Sequence, residues 1–219
     1  DTVRSTVSLN NQLAANVENL ELIGPLALIG RGNALDNVLR GNDGNNVLTG
    51  FGGNDQYFGG KGDDTYWDIG QEQYSIDCNR TLAITEYANE GTDTLITDFM
   101  SMTLPDNVER LIVRATRWAS NNRWSYTYKG NALDNVIDLS ATNANIGYGK
   151  YRIDGGSGND VMTGDTRSDG SYVVNTYVVD SAGDVVNERV RGNGEVESSI
   201  SYTLGYTLAN LKLTGAASI

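Results

Sequence analysis

Asparagines and aspartates recur nine residues apart in the first half of the chain, at Asn37, Asn46, Asp55 and Asp64. Each follows a glycine by five residues (Gly32, Gly41, Gly50, Gly59) and precedes a large residue by two (Leu39, Leu48, Tyr57, Tyr66). The block GGSGNDVMT at 155–163 puts Asp160 in the same phase, and GNALDN occurs at both 32–37 and 130–135. Carboxylates and amides at a fixed period among glycines are oxygen donors, and the chemistry open to them is coordination of a hard cation. The rest of the composition closes other routes. The chain has no histidine and one cysteine, Cys78. Ser-His-Asp triads, Cys-His dyads, His-containing zinc sites, internal disulfides and iron–sulfur clusters are therefore excluded. Acids outnumber bases 28 to 16, for a net charge of −12, which argues against a nucleic-acid partner. No run of 18 apolar residues is present to span a membrane, and Asp1-Thr2-Val3 does not open a secretory leader. Paired carboxylates can perform glycoside chemistry, but the acids here have structural places in the repeats and no nucleophile–base pair stands out. A non-catalytic protein is expected.

The elements that must position these donors follow from the period. Six residues rich in Gly, Asn and Asp are turn chemistry. The three that follow, such as VLR, VLT, QYF and TYW, make a short strand whose middle residue faces one side. Two such nonapeptides complete a coil of 18 residues, with Leu39 and Tyr57 stacked on one sheet and Leu48 and Tyr66 on the other. A single coil buries too little apolar surface to be stable, so stability must come from stacking. Stacking also crowds the acids, and like charges ~4 Å apart repel by about 4 kcal/mol at an effective dielectric of 20. A cation with oxygen ligands, calcium above all, relieves that repulsion.

A second period of about one hundred residues overlies the first. GNALDN returns after 98 residues, VENLEL at 17–22 returns as VERLIV at 108–113, and LANLKL at 208–213 is a degraded third copy. Strand-like lead-ins stand at 2–9, 99–104 and 199–204, and TYWDIGQEQ at 65–73 corresponds to TYVVDSAGD at 176–184. The expected division is a first unit 1–98 with a cassette at 32–67, and a second unit 99–219 with a cassette at 130–175. A truncated third unit begins at 196. The second unit carries insertions within 139–154 and 164–174 that break its register. The chain reads as a piece of a longer array.

These blocks resemble the GGxGxDxUx nonapeptide (U large and apolar) of the repeats-in-toxin, or RTX, calcium-binding proteins. GGKGDDTYW at 59–67 and GGSGNDVMT match at every defined position, GFGGNDQYF at 50–58 departs only at position two, and the GNALDN and GNDGNN blocks are degenerate. The resemblance implies an all-β, right-handed parallel β-roll with two calcium-binding cassettes and β-strand links. It also implies Ca2+ as the folding ligand, type I secretion, and a secreted or bacterial cell-surface location of adhesin or surface-layer type. The alternative is the tail of a secreted protease or epimerase. Carried over by position, the family's ligand pattern implies three sites. The first uses Asn33, Leu35 and Asn37 with Gly50, Gly52 and Asp55. The second uses Asn42, Gly44 and Asn46 with Gly59, Lys61 and Asp64. The third uses Asn131, Leu133 and Asn135 with Gly155, Ser157 and Asp160. For Asn37, Asn46 and Asn135, holding the turn without metal is an equal alternative.

Other residues stand outside the pattern. Asp36, Asp43, Asp63 and Asp134 are expected to be solvated loop acids. Acids in the links (Asp68, Glu86, Glu90, Asp93, Asp180, Asp184, Glu188) could hold further ions. The segment 114–128 concentrates Arg117, Trp118, Trp124 and Tyr126. It could bind a glycan or a protein partner by ring stacking, although a packed hairpin or cap is the plainer reading. A sheet edge left open at either end could pair with another copy.

Overall fold

The computed structural model describes residues 1–68, 82–98, 101–114, 124–142, 149–165, 173–192 and 194–215. Among these every regular element is a β-strand. The chain divides into two compact units, one of Asp1–Asp98 with Pro105–Val108, the other of Phe99–Leu104 with Glu109–Ile219. No helix among the described residues is long and apolar enough to cross a membrane.

The first unit contains β1 (Thr2–Ser5), β2 (Asn19–Leu22), β3 (Ile29–Arg31), β4 (Val38–Arg40), β5 (Val47–Thr49), β6 (Gln56–Phe58), β7 (Thr65–Asp68), β8 (Ala83–Thr85) and β9 (Thr94–Thr97). From β2 onward each strand pairs in parallel with the next but one in the chain. One sheet runs β1-β2-β4-β6-β8, while β3, β5, β7 and β9 adjoin in that order in the other. Consecutive strands thus belong to opposite sheets, which is the path of a parallel β-roll. Leu39 lies over Tyr57 and Leu48 over Tyr66, and all four are 0% exposed. Their inward faces are the core, with the Tyr57 and Tyr66 rings edge to face at 5.7 Å. Burying each such side chain contributes about 1.5–3 kcal/mol, so three-residue strands suffice when every middle residue is large.

The second unit contains β10 (Met102–Thr103), β11 (Arg110–Val113), β12 (Trp124–Lys129), β13 (Val136–Asp138), β14 (Gly149–Asp154), β15 (Val161–Thr163), β16 (Val173–Val179), β17 (Val185–Asn187), β18 (Gly194–Ser198) and β19 (Leu208–Leu213). One sheet is ordered β10-β12-β14-β16-β18-β19, and β11, β13, β15 and β17 adjoin in that order in the other. The inserted residues lengthen strands and coils without breaking the stack. Val136 still pairs with Val161, and Val161 with Val185.

Two sequence expectations change here. The lead-in at 199–204 is not a strand; the strand is β18, just before it. Ser198 Oγ donates to Ile200 O over 2.8 Å and accepts Ile200 N–H, a serine turn that ends the strand. Ser5 does the same to Val7 after β1. The aromatic segment is packed, as its plainer reading expected, but its residues 124–129 form β12, paired in parallel with β10 and β14 and not in a hairpin. Tyr126 is 5% exposed and stacked on Tyr151 at 5.5 Å. A ring so buried offers no face to a sugar, so Tyr126 is a core residue. Arg117 and Trp118, the Trp124 side chain and Cys78 lie outside what the structure describes.

Candidate metal centre

Each nonapeptide loop stacks on the loop one coil before it, and the residue at position six makes the joint. The N–H of Asn37 donates to Asp55 Oδ1 (2.9 Å), that of Asn46 to Asp64 Oδ1 (2.6 Å) and that of Asn135 to Asp160 Oδ1 (2.8 Å). The ladder continues into the links, where Asp64 N–H donates to Asp93 Oδ1 (2.7 Å) and Asp160 N–H to Asp184 Oδ1 (3.0 Å). Asp93 and Asp184 therefore occupy position six of the next coil. No glycine motif marks them, and only their distance from a following β-branched strand could have signalled the role.

Asparagine and aspartate behave differently at this position. The amides of Asn37, Asn46 and Asn135 hold their own loops. Oδ1 accepts the N–H of Asn33, Asn42 or Asn131, and Nδ2 donates to the Oδ1 of that same asparagine. Nδ2 of Asn37 also reaches Val17 O and Glu18 O of the preceding coil, and Nδ2 of Asn135 reaches Glu109 O. An amide can donate to these carbonyls where a carboxylate could not. Asn33, Asn42 and Asn131 in turn accept the N–H of Leu35, Gly44 and Leu133, closing Asx turns. Asp64 and Asp160 have no such closure. Asp64 and Asp160 are 1% and 0% exposed, and the second carboxylate oxygen of each is buried without a hydrogen-bond partner.

Burial dominates their electrostatics. It pushes the Asp64 carboxyl up to about 7; the Asn46 N–H pulls the other way, and Asp93, Asp63 and Glu90 add to the rise. Asp160 is raised to about 6 by burial, against the Asn135 N–H and with Asp184, Asp180 and Asp134 adding. Unpaired charge in such a place is costly, and the two remedies are a proton or a cation.

The backbone groups implied as ligands lie where the loops touch. A methyl group at Gly53 would come within 2.6 Å of Leu35 O, one at Gly158 within 2.5 Å of Leu133 O and one at Gly60 within 2.7 Å of Asn42 O. Methyls at Gly41 and Gly130 would overlap Gly59 O and Gly155 O. Asn33 O accepts the N–H of Gly52, joining the first pair of loops directly. Asn131, Leu133 and Asn135 do meet the 155–160 loop, although the coil between Asn135 and Asp160 is 25 residues long against the 18 between Asn46 and Asp64. Lys61, whose carbonyl was the implied donor, directs its ammonium to Asp43 at 3.1 Å. The position-five acids are exposed but not idle. Asp36, Asp63 and Asp134 accept the N–H of Asn54, Thr92 and Asn159 one coil on, a second ladder outside the first.

The donor set is oxygen throughout, some buried and unpartnered, in cradles that a Cβ would fill. That set fits calcium, which takes six to eight oxygen ligands from carboxylates and carbonyls. The comparisons with known proteins agree. The RTX calcium-binding nonapeptide repeat matches in four copies, at residues 31–66 and 152–169. The chain carries calcium-binding repeats of this kind, and Ca2+ is their ligand. No curated protein and no solved structure matches the chain.

Proposed function

We propose that this chain, built on RTX calcium-binding repeats, is a non-catalytic structural module whose folding is driven by calcium. Its setting would be a secreted or cell-surface bacterial protein of adhesin or surface-layer type. The observation that carries this reading is the pair of buried carboxylates, Asp64 and Asp160, each with an oxygen left unpartnered at the joint between stacked loops. A fold that concentrates such groups is penalised until a cation arrives, and an ion that binds only the folded state stabilises it by mass action.

The ligands we assign are the carboxylates of Asp55, Asp64 and Asp160 with the carbonyls of the loops they join. Asn37, Asn46 and Asn135 hold the turns. Division into units 1–98 and 99–219 makes each a calcium-gated block. In calcium-poor cytoplasm a net charge of −12 opposes compaction, which keeps the chain loose enough for type I export; outside the cell calcium folds it. Calorimetric titration of the calcium-free chain tests this. Saturable uptake of several ions per chain, coupled to a negative heat-capacity change, is expected. Heats no larger than dilution would sink the proposal.

A further inference from the structure

Glu86 follows β8 at the place where the coil below it has Gly59, since Phe58 pairs with Thr85. It interrupts the glycine pattern, and its side chain turns inward. It is 5% exposed, and neither carboxylate oxygen has a hydrogen-bond partner. It faces two further buried carboxylates: oxygens of Asp64, Glu86 and Asp93 all lie within 4.8 Å of one another. Asp64 and Asp93 are each 1% exposed, and the second Asp64 oxygen and the Tyr66 hydroxyl at this spot are likewise unpartnered. A methyl on Gly59 would run into the Tyr66 hydroxyl, Asp64 Oδ2 and Glu86 Oε1 together, so these three oxygens converge on one point.

The second unit contains the same arrangement with different chemistry. Glu188 follows β17 above Gly164, since Thr163 pairs with Asn187, and Tyr177 stands where Tyr66 does. The residue matching Asp64 is Asn175, and the one matching Asp93 is Gly194, which pairs with Asn175. Glu188 is satisfied there: Oε2 accepts Asn175 Nδ2 at 2.8 Å and the Tyr177 hydroxyl at 3.2 Å, and Oε1 accepts Val190 N–H at 2.8 Å. Glu188 thus has an amide donor and a hydroxyl donor, with the buried Asp165 close to the same tyrosine as a further acid. The first unit has exchanged the amide donor for a carboxylate and added another. Three carboxylates now share a dry space where the twin has one glutamate held by three hydrogen bonds.

We propose that Asp64, Glu86 and Asp93 form an additional divalent-cation site, outside the joints between nonapeptides, that caps the first cassette with calcium. The site joins the last nonapeptide to the link that follows it, and Glu86 contributes from a position where the repeat carries glycine. Burial, then the charges of Asp93, Asp64 and Glu90, push the Glu86 carboxyl up to about 8 against the pull of the nearby Gly59 N–H, as expected for an acid that lacks its counter-ion. At the twin, both Glu188 oxygens already accept hydrogen bonds.

This inference rests on the calcium reading, and the test separates the two. Calcium per chain is counted by equilibrium dialysis for the full chain and for Glu86→Gln, with Asp93→Asn as a second isosteric variant. Each is then melted in EGTA and in calcium. Each variant should bind one ion fewer than the parent. Glu86→Gln should melt higher than the parent in EGTA, because one of three crowded charges is gone, and lower in saturating calcium, because an ion is lost. An unchanged ion count, or a melting temperature displaced in the same direction under both conditions, overturns the site while leaving the repeat sites standing. A parent chain that takes up no calcium overturns both.

Discussion

The N–H of Asn135 donates to Asp160 Oδ1 over 2.8 Å across a coil of 25 residues, the same bond that Asn46 makes to Asp64 across 18. Seven additional residues leave the joint in place because the strands on either side of it stay in register, Val136 with Val161. The joint, not the coil length, is what the repeat preserves. Replacing Asp160 by Asn keeps the Oδ1 acceptor and removes the charge. Asp160→Asn should lose calcium-dependent stabilisation of the second unit while melting no lower than the parent in EGTA. Asp160→Ala also strands the Asn135 N–H and should cost about 1–3 kcal/mol more. Urea melts with and without calcium compare the three chains.

The raised carboxyls fix a pH dependence for the calcium-free chain. Asp64, Asp160 and Glu86 titrate at about 7, 6 and 8 in the folded state, against ordinary values near 4 when unfolded. The folded state holds more protons between those limits, so this contribution is complete at the acid end and is lost as pH rises through the folded values. In EGTA the urea midpoint should therefore fall between pH 5.5 and pH 8.5. In calcium, which binds the deprotonated groups, the fall should be cancelled or reversed.

Phe51 sits at position two with φ +77°, where the matching Gly60 and Gly156 have +93° and +86°. A side chain in this left-handed region costs roughly 1–2 kcal/mol. Part of that is offset by the backbone freedom a glycine would lose on folding. Phe51→Gly should raise stability by about 1 kcal/mol and leave the calcium stoichiometry unchanged, as a denaturant series at saturating calcium would register.

Gly155 and Gly52 separate close approach from mere membership of the motif. A methyl on Gly155 would overlap Asp160 Oδ2 and Cγ, whereas one on Gly52 would meet nothing nearer than Ala34 Cα at 3.4 Å. Gly155→Ala should cost about 2 kcal/mol or more and weaken calcium binding. Gly52→Ala, whose expected role uses only the carbonyl, should stay within about 1 kcal/mol of the parent. Parallel thermal melts and calcium titrations check both.

The nine-residue period made most of the first cassette legible. It placed Leu39, Leu48, Tyr57 and Tyr66 on alternate sheets and Asp55 and Asp64 at the joints, because periodicity alone decides which side chains face inward. The link acids were harder to place. Glu86 and Asp93 belong to a coil of 29 residues, as counted from Asp64 to Asp93, and a coil without a period gives no phase from which to assign a position. The division of labour between Asn and Asp was also hidden. Both are oxygen donors in a sequence, but only the structure shows the Asn37 amide turned back on Val17 and Glu18. The packing of the aromatic segment was legible in its pattern, although its parallel pairing was not. Trp124-Ser125-Tyr126-Thr127-Tyr128 alternates as a strand does, and Tyr126 and Tyr128 are buried against Tyr151.

The central claim is that calcium folds this chain by neutralising the stacked aspartates. Far-ultraviolet circular dichroism of the full chain in EGTA, followed by back-titration with calcium, tests it most directly. The account predicts a diminished β-sheet signal from a marginally stable fold in EGTA, which grows cooperatively and becomes far more resistant to heat as calcium is added, with magnesium far less effective. A β-rich spectrum in EGTA that calcium leaves unchanged, from protein shown by elemental analysis to be free of calcium, would contradict it.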